Sequence, residues 1–336
     1  MPKRNLLLCF DAFGTLFWPK PPVAQQYGQV ARQCGMTGWT DTELQARLAA
    51  AFQDEARLHP NYGKASGLDA TQWWTNVIRK TFQPFSPHQP LPADLAPKLL
   101  SRFSSSQGYH IEKDLVTTLK KLKQRSPTTA LDFDQVVVGV ITNSDDRVPG
   151  VLSSFGLSVS PLRCGSVDEP DVLGRPHDVD FTCMSYDAGV EKPHAAIFRA
   201  AERLCIRVVR GTTRGVDKTC EAKKADAEEE AKSSIDAEAD GDAQADGGVD
   251  SWQKLYVGDE HAKDVVGALN AGWNPVLLDQ HDRAAEIPCL EHLSGLSIAD
   301  VFERSPVVRV RSVRNLVAWV LGGKASAGRQ KAEAES

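Results

Sequence analysis

The run 5–13 constrains this chain most, because Leu, Cys and Phe follow one another through Leu6-Leu7-Leu8-Cys9-Phe10 with no polar alternation before Asp11. A strand with one wet face alternates. A run that is apolar in both registers belongs to a parallel sheet covered by helices on either side. Gly14 then supplies a turn signal, so Asp11 is expected at the rim of that sheet, where parallel α/β folds gather their ligands.

After this run the periodicity changes. Residues 23–34, 41–57, 70–82 and 93–103 carry apolar side chains three and four apart, divided by turns such as Pro60-Asn61-Tyr62-Gly63, which predicts a block of helices. Strand-like runs return at 136–142, 180–185, 255–258 and 275–278, with helical stretches at 112–123, 194–204 and 262–271 among them. That alternation predicts an α/β fold, a doubly wound parallel sheet. The helical block interrupting it is expected to be an inserted cap: cap 18–107, and core 1–17 with 108–206 and 251–323. Residues 207–250, rich in Ala, Asp, Glu and Lys with few large apolar groups, are expected to be disordered, as is the tail 324–336.

Composition excludes some classes of function. Lys plus Arg total 39 against 44 Asp plus Glu, a formal charge of -5, so no nucleic-acid partner is expected. The seven cysteines include no CxxC pair, which fits free thiols in a reducing compartment. Met-Pro-Lys-Arg leads into too short an apolar stretch for a signal peptide or a membrane span. An intracellular protein of the cytoplasm, the nucleus or both is expected, without a membrane partner. Oligomeric state has no signature in the sequence.

Four predicted strand ends carry polar groups: Asp11; Thr142-Asn143; Lys192 within Gly189-Val190-Glu191-Lys192-Pro193; and Gly258-Asp259 with Asp264 shortly after. Singly, each has an ordinary reading as a turn carboxylate, a strand-closing turn, a surface lysine or a helix cap. Taken in order they resemble the haloacid dehalogenase superfamily. Phe10-Asp11-Ala12-Phe13-Gly14-Thr15-Leu16-Phe17 is similar to its first motif, Val140-Ile141-Thr142-Asn143 to the second, Lys192-Pro193 to the third and Val257-Gly258-Asp259 through Asp264 to the fourth. Pro60-Asn61-Tyr62-Gly63 followed by Gln72-Trp73-Trp74 resembles the group called haloacid dehalogenase-like hydrolase domain-containing protein 3. Trp73 and Trp74 are read as packing within the cap and left out of the site.

The resemblance implies a hydrolase in which Asp11 is the nucleophile and forms a covalent aspartyl intermediate. Lys192 would supply positive charge and Thr142 a hydroxyl donor, with Asn143 beside them in the catalytic set. A Mg2+ ion would be held by Asp11, the backbone carbonyl of Phe13 and Asp259, with Asp264 as a further ligand. The substrate class implied is a small phosphorylated molecule.

Phe13 departs from the phosphatase pattern, which has a second Asp there as general acid and base; losing such a group costs about 100 to 10,000-fold. Asp-Ala-aromatic is instead the pattern of metal-independent 2-haloacid dehalogenases, for which a cap arginine, Arg47 or Arg57, would cradle the halide. Against this, Gly258-Asp259-Glu260 stands where those enzymes have Ser-Asn, and a carboxylate there repels Asp11 unless a cation intervenes. Mg2+-assisted hydrolysis is the leading expectation. Dehalogenation and a catalytically weak binding or regulatory role are the alternatives.

Overall fold

The computed structural model describes residues 5–124, 133–166, 176–217, 249–293 and 295–322. Its centre is a six-stranded sheet in the order β5-β4-β1-β6-β7-β8, formed by β1 (Asn5–Phe10), β4 (Gln135–Thr142), β5 (Phe181–Met184), β6 (Gln253–Gly258), β7 (Asn274–Leu278) and β8 (Val308–Val310). Every pairing is parallel. β1 lies in the middle, with Phe10 opposite Val140 on one side and Val257 on the other.

The unbroken apolar run of β1 now has its physical reason. Successive side chains of a strand point to opposite faces. Leu6, Leu8 and Phe10 enter one hydrophobic core and Leu7 and Cys9 the other. All five are fully buried, each large side chain contributing about 1.5–3 kcal/mol by leaving water. The second core is completed by Ile197, Phe198, Ala201 and Leu204 of the helix Ala195–Asp217.

Between β1 and β4 the chain builds the helical insertion: α1 (Val23–Gln33), α2 (Asp41–Leu58), α3 (Ala70–Phe82) and α4 (Leu95–Arg102). A two-stranded antiparallel stem, β2 (Trp18–Pro19) with β3 (Tyr109–His110), joins it to the sheet. Thr40 and Glu43 form a capping box that starts α2, satisfying backbone N–H groups that a helix leaves free.

Three expectations need correction. The helix expected over 194–204 runs on to Asp217, inside the stretch 207–250 expected to be disordered. Val208 and Val209 continue its apolar stripe against the second core, and the Arg207 guanidinium donates to the Ser166 carbonyl at 2.7 Å. Val249 and Trp252 belong to the same core. The remainder of that stretch, 218–248, and the tail 324–336 lie outside the described residues. The expected strand 5–13 stops at Phe10, where the backbone turns so that the Leu16 and Phe17 amides donate to the Ala12 carbonyl.

β8 lies outside the strand-like runs expected from the sequence, because Arg309 interrupts its short apolar run. Arg309 is nonetheless buried, its charge matched by Asp282 and, at 3.9 Å, by Asp279. Among the described residues no cysteine forms a disulfide, and no helix is long and apolar enough to cross a membrane.

Candidate active site

Asp11 follows β1 directly, and its amide donates to the Val257 carbonyl at 2.8 Å, so the ladder with β6 orients the residue. Thr142 ends β4, Lys192 lies in the loop leading to the helix Ala195–Asp217, and Asp259 follows β6. A π-helical turn, His261–Val265, brings Asp264 back under Gly258; such turns insert an extra residue to re-aim a side chain. The topology therefore delivers all five to the carboxyl edge of the sheet.

Lys192 is the hub. Its buried ammonium sits 2.9 Å from Asp11 Oδ1, 2.7 Å from Asp264 Oδ1 and 2.8 Å from the Tyr256 hydroxyl oxygen. Burial alone would push a lysine towards neutrality, but the two carboxylates outweigh that and hold its pKa above the ordinary value of 10.5. Asp11 feels the opposite balance. Desolvation raises its pKa, Lys192 lowers it, and the like charge of Asp264 raises it again, for a net upward shift.

The Asp264 oxygens are both engaged, one by Lys192 and the other by the Glu260 amide at 2.9 Å. Asp259 is the most solvent-open of the acidic trio, and the Thr15 hydroxyl approaches it at only 3.4 Å. Desolvation, Asp11 and Asp264 together push its pKa up to about 6. Carboxylate oxygens of Asp11, Asp259 and Asp264 lie within 4.8 Å of one another, a cluster able to hold a divalent metal through the oxygen ligands such ions prefer.

Two glycines make this closeness possible. A Cβ on Gly14 would lie 2.3 Å from Asp259 Oδ2, and one on Gly258 would lie 2.2 Å from Asp264 Oδ2. Gly14 also has φ +78°, a region that costs other residues about 1–2 kcal/mol. Gly14→Ala is accordingly expected to destabilise the protein by roughly 2–3 kcal/mol. Denaturant unfolding checks this, and wild-type stability in the variant would contradict the geometry.

Asn143 is beside the others, but both ends of its amide are spent on the backbone of Lys192: Nδ2 donates to the Lys192 carbonyl at 3.0 Å and Oδ1 accepts from its amide at 2.7 Å. Its geometry is that of a positioning residue. Phe13 turns its ring into an aromatic group with Phe17 and Tyr109, at centroid distances of 4.7 and 5.7 Å.

Above these groups lies a cavity of about 420 Å³. Phe52 and Trp74 come to it from the cap helices, and Arg147 from beyond β4. Neither Arg47 nor Arg57 lines it: Arg47 stacks over Phe85 and Arg57 pairs with Asp54. Two further cations line the cavity besides Lys192: Lys263, paired with Glu260 at 2.9 Å, and Arg147, gripped by Asp145 through two contacts of 2.8 Å and packed 4.4 Å from the Trp74 ring centroid.

Trp73 and Trp74, read alike from the sequence, separate. Trp73 is buried between α2 and α3, while the Trp74 indole donates to Asp145 Oδ2 at 2.7 Å and faces the cavity. Neighbours on a helix point about 100° apart.

The turn after α2 was legible as a motif but not as a clasp. Asn61 and Tyr62 adopt left-handed backbone angles, φ 47° and 57°. The Asn61 amide donates to the Ser185 carbonyl and accepts from the Ser185 hydroxyl, both at 2.8 Å, and the Tyr62 hydroxyl donates to the Asn143 carbonyl at 3.1 Å. Held strain of this kind is a mark of functional sites.

The sequence profile of haloacid dehalogenase-like hydrolases matches residues 6–208. An uncharacterized hydrolase of Schizosaccharomyces pombe is 32% identical over 213 residues, covering 62% of this chain and 79% of its own. An uncharacterized protein of Saccharomyces cerevisiae is 27% identical over 280 residues, 83% of this chain and 74% of the relative. Haloacid dehalogenase-like hydrolase domain-containing protein 3 of Danio rerio is 30% identical over 197 residues, 58% and 70% respectively. Since the profile spans most of the chain and runs through the strand ends that bear Asp11, Thr142 and Lys192, the protein belongs to the haloacid dehalogenase-like hydrolase family.

Proposed function

We propose that the protein hydrolyses a small phosphorylated substrate with Mg2+ assistance, Asp11 attacking phosphorus to form an aspartyl phosphate that water then cleaves. The observation that carries this reading is the convergence of Asp11, Lys192, Asp259 and Asp264 on one cavity floor. An acidic trio in which burial, followed by mutual repulsion, pushes the pKa of one member up to about 6 has the charge and the oxygen donors for a hard divalent cation. Asp11, Asp259 and Asp264 would hold it, with the Phe13 carbonyl. When bound, it supplies Lewis-acid neutralisation of the phosphoryl oxygens.

The remaining work falls to the chain itself. Lys192 keeps Asp11 ionised and aligned and offsets the charge that gathers as anions meet. Thr142 offers a hydroxyl donor at the same rim. Asn143 fixes the Lys192 backbone, and the cap shields the cavity from water.

Asp259 links this reading to a measurable trade. A carboxyl whose folded pKa is raised opposes folding once it ionises, so that penalty is fully present above about pH 6 and is relieved progressively as the pH falls from there towards the ordinary 3.8. Asp259→Asn is therefore expected to stabilise the chelator-treated protein at pH 7.5 by about 1 kcal/mol after discounting for solvent screening, some 2–4 °C in Tm. In wild type, Mg2+ is expected to raise Tm and to lose that effect below pH 6; in the variant it should do neither. A Mg2+ shift that survives Asp259→Asn would remove the metal from the proposal.

Metal-independent dehalogenation of a 2-haloacid remains the second reading, favoured by the apolar Phe13 side chain. The uncompensated Asp259 carboxylate and the absence of Arg47 and Arg57 from the cavity weigh against it. Chloride release from 2-chloropropionate in chelator, lost on Asp11→Asn, is the result that favours it.

A further inference from the structure

The cavity is divided by chemistry. Among the described residues its floor carries every carboxylate that lines it: Asp11, Asp259, Glu260 and Asp264, all on the core. Its wall is largely aromatic, with Phe13, Tyr27, Phe52, Tyr62, Trp74, Phe103 and Tyr109. A leaving group departs in line with the attacking nucleophile, away from that floor.

The wall has little to protonate a departing oxygen. Phe13, Phe52 and Phe103 hold no acidic proton, the Trp74 N–H and the Arg147 guanidinium are committed to Asp145, the Tyr62 hydroxyl donates to the Asn143 carbonyl, and the Lys263 ammonium pairs with Glu260. Burial pushes the Tyr27 hydroxyl well up and the Tyr109 hydroxyl up to about 12, so both hold their protons tightly. A site so built handles only leaving groups that depart as anions unaided.

Resting on the hydrolase reading above, we infer that the substrates are phosphate monoesters of aromatic hydroxyls, whose flat apolar ring packs against this wall and whose oxygen leaves without a proton. A phenol such as the tyrosine side chain has a pKa of about 10, far below that of water, which an aliphatic alcohol resembles. Edge-to-face and stacked contacts between rings add attraction beyond area burial.

In the first step the Asp11 Oδ–P bond forms, the P–O bond to the ring breaks, and its electron pair leaves as aryloxide. In the second, water oxygen bonds to phosphorus, the P–Oδ bond breaks and restores the carboxylate, and both water protons depart with phosphate as its dihydrogen anion. No oxidant, reductant or further donor is required.

The test measures kcat/KM in Mg2+ for phenyl phosphate, ring-substituted phenyl phosphates and cyclohexyl phosphate, with Asp11→Asn as control. Phenyl phosphate is expected to exceed cyclohexyl phosphate by at least about 100-fold, the contribution of a missing general acid, and rates should climb as substituents lower the leaving-group pKa. Phe13→Asp should accelerate cyclohexyl phosphate by about 100-fold and phenyl phosphate by less than about tenfold. If that variant does not fold, the slope across the aryl series in wild type decides alone, a flat slope counting against the inference. Asp11-dependent hydrolysis of cyclohexyl phosphate as fast as phenyl phosphate overturns the inference and leaves the nucleophile standing. Absence of Asp11-dependent release from every ester overturns both.

Discussion

Asp11→Asn is expected to abolish turnover, by about 10,000-fold or more, while leaving the fold intact. The amide matches the carboxylate in shape but cannot form the ester on which the two-step route depends, and removal of a nucleophile typically forfeits most of an enzyme's rate. Stability should hold or rise slightly. Desolvation and the neighbouring Asp264 raise the Asp11 pKa in the folded protein despite Lys192, so its ionisation opposes folding above the ordinary carboxylate range. Steady-state rates beside a thermal melt test both halves. An Asn variant with more than about 1% of wild-type activity removes Asp11 from the chemistry.

Lys192→Met is expected to fail in the other respect, losing both activity and stability. Its ammonium is the shared counter-ion of Asp11 and Asp264 and donates to the Tyr256 hydroxyl as well. Methionine of similar length fills the space but leaves two buried carboxylates facing each other. Breaking a buried pair from one side costs about 3–5 kcal/mol, a fall in Tm on the order of 10 °C. The sign with pH is distinctive. In wild type the lysine contribution is fully present at neutral pH and fades only on the alkaline side of 10.5, because its folded pKa is raised. In the variant stability should instead improve as the pH falls and the orphaned carboxylates take up protons. Equal melts for the two proteins across pH 5 to 8 would show that Lys192 is not the electrostatic hub.

What the sequence made legible follows from how a parallel sheet addresses its rim. Asp11 and Asp259 lie just beyond strands, Thr142 is the last residue of one and Lys192 lies in the loop that leads into the helix Ala195–Asp217, so the order of the elements brings them together. The cap contributions follow another rule. Trp74 reaches the cavity and Trp73 does not, although both stand in one helix with the same apolar character; side-chain direction relative to the sheet is a tertiary property. Arg147 was hidden for a related reason. Its neighbour Asp145 neutralises it in sequence and in space, and a reading of charge sees only a balanced pair. The helix Ala195–Asp217 outran its expected end because Val208 and Val209 were outweighed by the polar stretch that follows them. β8 was missed because a buried arginine mimics a surface strand.

The partition of the cavity between a charged floor and an aromatic wall bears on how such a protein can diverge. Among the described residues no side chain of α1 to α4 hydrogen-bonds to Asp11, Thr142, Lys192, Asp259 or Asp264. Descendants can therefore remodel the helical insertion, and with it the molecules admitted, while inheriting an untouched reactive floor. A graft of the insertion from a relative onto this sheet would carry substrate choice with it.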